Sequence, residues 1–208
     1  MVELSDYKSS DPITWCPGCG DFFILDALKQ ALVELNLKPE NILLVSGIGQ
    51  ASPTSDENMS TGTTPKGVFI PPEKPLVLAV ASDCSLVARG YAGDKTHLTY
   101  LIKEAIKNKG FSLVDILQPC VSFNKINTYK WYKDRVYKVE DGIYDPYNKT
   151  DAFNKVLEWG EKIPIGIIYR SLRKSYEEIT GLEGEKPLIE RDSNKNKMEF
   201  ESMSTIGG

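Results

Sequence analysis

The feature that most constrains the fold is a helical apolar pattern followed at once by a short, wholly apolar run. Apolar residues first recur at spacings of three and four, the pattern of one helix face: Leu25, Leu28, Leu32 and Leu35. After a break at residues 38–41, residues 42–45 read Ile-Leu-Leu-Val, which is typical of a strand buried on both faces of a sheet. A helix that leads into a buried strand predicts a layered α/β fold.

The alternation of helix and strand patterns resumes further along the chain. The predicted elements are a helix over 97–108, a strand over 113–117, a helix over 152–159 and a strand over 163–169. Apolar periodicity therefore supports a sheet with helices around it, not an all-helical or all-strand protein.

Two stretches lie outside this pattern. Residues 50–75 are rich in Ser, Thr, Pro and Gly, which predicts a long loop, and loops of that length in a compact domain are usually functional or disordered. Residues 183–208 form a charged tail of a kind that seldom folds alone. We therefore expect one α/β domain over residues 1–182 and a tail over 183–208 that contacts a partner.

Charge, histidine content and apolar run length exclude several classes of function. The net charge of −4 disfavours nucleic acid or an anionic membrane as a partner, because phosphate neutralisation needs clustered Lys and Arg. His97 is the sole histidine, which excludes His-Glu-x-x-His zinc hydrolases. No apolar run approaches the roughly 20 residues that cross a bilayer. The N-terminus has no export pattern, so we expect a cytoplasmic protein.

The most informative motif is Trp15-Cys16-Pro17-Gly18-Cys19-Gly20. Its spacing lets both thiols point at one metal ion or cluster, and its glycines allow a tight turn. Three interpretations stay open. A thioredoxin-like redox pair should follow a strand and open a helix, but no strand pattern precedes Trp15. A structural zinc site needs a second Cys or His pair, and an iron–sulfur cluster needs further thiolates from distant parts of the chain.

The remaining cysteines differ in their surroundings. Cys120 directly follows the strand predicted over 113–117, and α/β folds expose functional groups at strand ends, so it is the best third ligand. Cys84 lies among small and apolar residues and is expected to be a buried, inert thiol. The residues alone therefore provide three of the four ligands of a cluster.

Five motifs, in the same order along the chain, resemble the thiamine-diphosphate-binding β subunit of 2-oxoacid:ferredoxin oxidoreductases. They are residues 15–22 (WCPGCGDF), 45–49 (VSGIG), 50–55 (QASPTS), 87–91 (VARGY) and 117–124 (LQPCVSFN). The resemblance extends to about residue 173. It implies a thiamine-diphosphate-binding fold, with a mainly parallel sheet flanked by helices.

The same resemblance implies function, cofactors and partners. The implied enzyme decarboxylates a 2-oxoacid such as pyruvate or 2-oxoglutarate on thiamine diphosphate and Mg²⁺, transfers the acyl group to coenzyme A, and passes electrons through a 4Fe–4S cluster to ferredoxin. The enzyme is completed by an α subunit. Cys16, Cys19 and Cys120 look like three of the four cluster ligands, and Ile48 and Gly49 match residues that line the thiamine.

One junction departs from the family pattern. The family continues after Ser-Gly-Ile-Gly with the third cluster cysteine, where this chain has Gln50. The motif that begins at Gln50 resembles one that the family places much further along, so the segment with the magnesium ligands and most diphosphate contacts is missing between Gly49 and Gln50. No Gly-Asp-Gly elsewhere in the chain replaces it.

Two explanations of this junction remain. Either the sequence joins two parts of a longer protein, or the segment is truly deleted. The first is favoured on the sequence alone, because a deletion from the centre of a parallel sheet leaves exposed strand edges and an unfilled core. A true deletion predicts a chain without magnesium or thiamine diphosphate. The alternative functions are therefore an inactive deletion scaffold, or a thiol–disulfide oxidoreductase that uses Cys16 and Cys19.

Overall fold

The computed structural model describes residues 1–45, 74–122 and 124–186. Ile48, Gly49 and the junction with Gln50 lie outside the described residues, as does nearly all of the loop predicted over 50–75. The chain divides into one unit, Met1–Arg173, and a second that begins at Lys174. The division predicted between residues 182 and 183 stays a prediction.

A four-stranded sheet forms the centre of the first unit. Its strands are β1 (Leu86–Tyr91), β2 (Ser112–Leu117), β3 (Val136–Lys138) and β4 (Ile163–Arg170). The strand order is β2-β1-β4-β3, in which β1 is parallel to β2 and β3 is parallel to β4, while β1 and β4 are antiparallel. The predicted mainly parallel sheet is confirmed, and so are the strands over 113–117 and 163–169.

Helices surround this sheet. The helices of the first unit are α1 (Gly20–Glu34), α2 (Pro75–Ala81), α3 (Lys95–Lys107), α4 (Tyr129–Lys133) and α5 (Lys149–Leu157), and the second unit contains α6 (Tyr176–Thr180). Short 3-10 turns cover Leu4–Tyr7, Pro39–Asn41 and Val139–Asp141. The predicted helices at 97–108 and 152–159 are confirmed as α3 and α5. Within the described ranges, no helix is long and apolar enough to cross a membrane.

Successive residues of β1 face helices on opposite sides of the sheet. Val87 packs in the cluster that α2 and α5 supply, whereas Leu86 and Ala88 pack with Leu101 of α3. All six residues of β1 are buried. Because alternate side chains of a strand point to opposite faces, helices cover both sides of this central strand.

Small residues let α1 pack closely against α3. Ala27 and Ala31 are fully buried against Leu98 and Ile102. Of the predicted leucine stripe, only Leu32 is buried. The predicted helix is therefore correct, but its tightest contacts come from alanines, which allow close approach of the two helix backbones.

The buried strand predicted over residues 42–45 is wrong. This segment forms no strand, and Leu43, Leu44 and Val45 are 88%, 71% and 86% exposed. An apolar run is buried as a strand only where neighbouring strands accept its backbone hydrogen bonds and helices cover its side chains. None of the four described strands pairs with this segment.

Candidate functional site

Cys16 to Cys19 form a tight turn at the start of α1. The Cys19 N–H donates to the Cys16 carbonyl over 3.0 Å, and Gly18 has a φ of +80°. Pro17 followed by a glycine with positive φ is the pattern of a type II turn, in which only glycine fits easily at the second central position. Cys19 is also the N-cap of α1, so the turn holds both thiols at the start of one helix.

This turn lies against the segment that follows β2. Gln118 Nε2 donates to Cys19 Sγ over 3.2 Å. A Cβ built on Gly18 would contact Val121 Cγ2 at 3.4 Å, and one built on Gly20 would lie 2.5 Å from Gln118 Cγ. The glycines therefore let the turn approach the end of the strand closely.

Cys120 belongs to the segment that the turn contacts. It lies between Gln118 and Val121 and is partly buried, while Cys16 is exposed and Cys19 partly buried. Among the described residues, no three Cys, His, Asp or Glu side chains already surround a common point as metal ligands. The fold thus brings together the two segments that carry the predicted ligands, and their role as ligands stays a prediction.

Cys84 lies in a different environment. It is 7% exposed in the core cluster formed by α2, α5 and the sheet. Its Sγ is 3.2 Å from the carbonyl oxygens of both Leu86 and Phe111. The expectation that Cys84 is buried is confirmed, and its thiol serves as a hydrogen-bond donor within the core.

The surroundings of Cys19 favour its protonated thiol. Burial raises the pKa of this thiol, and the negative charge of Asp21 acts in the same direction. No strand lies between residues 8 and 15, although a thioredoxin-like redox pair should follow a strand. A metal that binds here must displace the thiol proton.

The carboxylates near the strand ends already have protein partners. Asp94 accepts from the His97 N–H at 3.0 Å and pairs with Lys138 at 2.9 Å. Glu140 accepts from the Ile167 N–H at 3.0 Å and lies 3.6 Å from His97 Nε2. Burial pushes the pKa of both carboxyls up, but these partners outweigh it and each pKa is lowered. Since Mg²⁺ is bound through free carboxylates, these residues do not fit a magnesium–diphosphate site.

A cavity of about 810 Å³ opens beside the cysteine turn, between the starts of α3 and α4. The residues that line it include Tyr91, Asp94, Lys95, Tyr129, Lys130 and Lys133. Tyr129 links the cavity to the turn, because its hydroxyl donates to the Gly18 carbonyl at 3.5 Å. Asp134 also lines the cavity and pairs with Lys130 at 2.9 Å, so the charge of the lysines is partly balanced there.

The sequence interpretation missed two residues of this site, Gln118 and Tyr129. Gln118 could have been found, because it directly follows the strand predicted over 113–117 and precedes Cys120. Tyr129 carries no such signal: it contacts Gly18 across more than a hundred residues of sequence, and only the fold brings the two together.

Replacing Gly18 with alanine should impair the site beyond its effect on stability. The positive φ costs an alanine about 1–2 kcal/mol, and the added methyl contacts Val121. We expect lower iron content after anaerobic reconstitution of Gly18→Ala, measured by colorimetric iron assay. The matched control is Gly160→Ala, since Gly160 has a φ of +95° with nothing near its Cβ. Equal iron loss in both variants would contradict a specific role for the turn.

Comparisons with known proteins agree on one family. Residues 120–182 match the family described as the C terminal part of the pyruvate ferredoxin oxidoreductase beta subunit. The "2-oxoacid:ferredoxin oxidoreductase subunit beta" of Saccharolobus solfataricus is 32% identical, over 79% of this chain and 84% of that protein. The "2-oxoacid:ferredoxin oxidoreductase 1, subunit beta" of Aeropyrum pernix is 29% identical, over 84% of this chain and 83% of that protein.

A solved structure is similar across nearly the whole chain. It is described as 2-oxoglutarate:ferredoxin oxidoreductase from Magnetococcus marinus with 2-oxoglutarate, coenzyme A and succinyl-CoA bound. The TM-score is 0.74 at 25% identity, and the match covers 95% of each chain.

The match to the Saccharolobus protein is longer than the present chain. It extends over 256 aligned positions, although this chain has 208 residues and only 79% of them take part. The Aeropyrum match extends over 265 positions in the same way. These relatives therefore have residues inside the matched region for which this chain has no counterpart.

Proposed function

Because this chain belongs to the family of 2-oxoacid:ferredoxin oxidoreductase β subunits, we propose that it takes the β-subunit place in a coenzyme A-dependent enzyme of this family. That enzyme decarboxylates a 2-oxoacid oxidatively and passes the electrons through a 4Fe–4S cluster to ferredoxin. The ligands named for the Magnetococcus marinus structure support the substrate classes. An α subunit is the proposed partner, and a cytoplasmic location stays a prediction.

The contact between the cysteine turn and the end of β2 is the observation that carries the proposal. Cys16 and Cys19 share one turn, and Cys120 lies in the segment that this turn contacts. Thiolates are the usual ligands of iron–sulfur clusters, and they commonly come from separated parts of a chain. We therefore assign Cys16, Cys19 and Cys120 to the cluster.

The fourth ligand does not come from Cys84, whose thiol is committed to two backbone carbonyls in the core. The family pattern places the missing cysteine directly after Gly49, where this chain has Gln50. A cluster held by this chain therefore needs a fourth ligand from a partner or from a small molecule such as a free thiol.

The position of the turn suits transfer of electrons out of the protein. Cys16 is exposed, so a cluster bound there lies at the surface. Lys130 and Lys133 border the adjoining cavity and are exposed, but Asp94 and Asp134 also line it and Lys130 pairs with Asp134 at 2.9 Å. The cavity therefore carries both signs of charge and does not by itself select an acidic acceptor.

Thiamine diphosphate and magnesium are implied by the family resemblance, with Ile48 and Gly49 beside the thiamine. The bound cofactor would supply the chemistry of decarboxylation. Asp94 and Glu140 do not fit the magnesium ion, because both are held by other partners. We therefore assign no step of decarboxylation to them.

The proposal is tested on the full chain, co-expressed with an α subunit of the family and purified without oxygen. We expect iron and acid-labile sulfide, and a broad visible absorbance that dithionite bleaches. A folded protein without iron, identified by circular dichroism, would contradict the proposal. Disulfide reductase activity in that iron-free protein would favour the thiol–disulfide alternative.

A further inference from the structure

We infer that Gln118 and Asp21 set the reduction potential of the cluster through the sulfur of Cys19. Gln118 raises the potential by donating a hydrogen bond to the sulfur, and Asp21 lowers it by its negative charge. The inference rests on the proposed function, because it concerns the cluster assigned to Cys16, Cys19 and Cys120. It adds two positioning residues, which act through a ligand and do not bind iron themselves.

Two polar side chains contact the Cys19 sulfur. Gln118 Nε2 donates to Sγ over 3.2 Å, and Sγ in turn donates to Asp21 Oδ2 over 3.5 Å. Gln118 belongs to the segment after β2, and Asp21 belongs to the first turn of α1. The sulfur therefore lies between a hydrogen-bond donor and a carboxylate, which have opposite preferences for its charge.

Binding of iron decides which of these two contacts is favourable. A cysteine binds a metal as its thiolate, so the hydrogen that Cys19 donates to Asp21 is lost. A thiolate can only accept hydrogen bonds, and Nε2 of Gln118 is already directed at it. The Gln118 contact therefore becomes a charge-assisted hydrogen bond, whereas the Asp21 contact becomes a repulsion between two negative groups.

The fold holds the Gln118 side chain in this position. The next residue, Pro119, is fully buried, and a proline restricts the residue before it to extended backbone. On the other side, the Leu117 carbonyl accepts from the Ala92 N–H at 3.0 Å. A Cβ built on Gly20 would lie 2.5 Å from Gln118 Cγ, so the glutamine packs directly on the start of α1. These neighbours fix the position of the donor independently of the cluster.

The Gln118 hydrogen bond affects the potential because hydrogen bonds to ligand sulfurs help to set the potential of an iron–sulfur cluster. When the oxidised cluster gains one electron, its net charge becomes one unit more negative, while no proton moves and no bond forms or breaks. A donor at the Cys19 sulfur stabilises the reduced state more than the oxidised state, and a carboxylate there does the reverse. Gln118 therefore favours electron uptake, and Asp21 favours electron release.

Redox titration with dithionite tests the inference on the full chain, reconstituted anaerobically with iron and sulfide in excess thiol. Visible absorbance and electron paramagnetic resonance follow the reduction. Gln118→Leu keeps much of the side-chain volume without the donor, so we expect about tenfold weaker electron uptake, a shift of about 59 mV to more negative potential for one electron. Asp21→Asn removes the charge and keeps the shape, so we expect a shift to more positive potential of similar size.

The matched control is Gln30→Leu. Gln30 Nε2 donates to Glu34 on α1, and Gln30 lies about 16 Å along that helix from Cys19. Its replacement removes the same amide without touching the cysteine turn, so the potential should not change.

The opposite signs expected for the two variants distinguish control of the potential from a loss of structure, which would lower the iron content of both. Unchanged potentials, or shifts of the same sign, in variants that keep their iron would overturn the inference and leave the proposed function standing. A folded parent chain that binds no iron would contradict both. Should Gln118→Leu fail to hold iron, Asp21→Asn decides: a positive shift supports the inference, and no shift overturns it.

Discussion

The double variant Cys16→Ser, Cys19→Ser should lose nearly all of its iron, with a decrease of at least about tenfold after anaerobic reconstitution. Two of the three assigned thiolates come from this one turn, and serine hydroxyls are poor ligands for iron in a cluster. The turn itself should survive, because the Cys19 N–H bond to the Cys16 carbonyl does not use the side chains. Iron and sulfide assays, together with visible absorbance, measure the effect.

The matched control is Cys84→Ser. A hydroxyl at this position can donate to the Leu86 or Phe111 carbonyl as the thiol does, so the core should tolerate the change. We expect iron content within a factor of about two of the parent chain, because cluster ligation depends on the other three thiols. Equal loss of iron in Cys84→Ser and in the double variant would contradict the assignment of ligands.

The elements that were predicted correctly have patterns that lie within their own sequence. α1, α3 and α5 have apolar residues at helical spacing, and β4 is a continuous apolar run. The Cys-Pro-Gly-Cys turn is equally local, since proline and glycine in this order specify its backbone. Short-range patterns of this kind depend little on the rest of the fold.

The predictions that failed concern features that depend on contacts distant in sequence. Residues 42–45 have the pattern of a buried strand, but burial depends on neighbours that the sequence of the segment does not reveal. β1 was missed because Arg89 and Gly90 interrupt its apolar run, although Arg89 is only 6% exposed. Gln118 reaches Cys19 across 99 residues of sequence, a contact that only the sheet topology produces.

One carboxylate, that of Asp115, balances the charge of Arg89 in the core. It pairs with Asp115 of β2 directly across the parallel strands, with Nε 3.2 Å from Oδ2. Its guanidinium also lies 5.7 Å from the centre of the Trp159 ring. Burial lowers the pKa of Arg89, while Asp115 opposes that change. The pair therefore allows a charged group in the central strand, although removing that group from water costs free energy.

Removal of the Asp115 carboxylate alone should strongly destabilise the protein. We expect Asp115→Ala to lower the free energy of unfolding by about 3 kcal/mol, because it leaves a buried guanidinium without a counter-charge. This value lies at the low end of the range for such pairs, since the Asp115 side chain is 27% exposed and water reaches it. Urea denaturation measures the loss.

The double variant Arg89→Met, Asp115→Ala separates the cost of the unpaired charge from the cost of lost packing. Methionine fills much of the volume of the arginine stem and carries no charge that needs a partner. We therefore expect the double variant to be more stable than Asp115→Ala, with coupling of at least about 1 kcal/mol in the double-mutant cycle. Additive losses would show that Arg89 finds another counter-charge or water, and that the pair does not determine its burial.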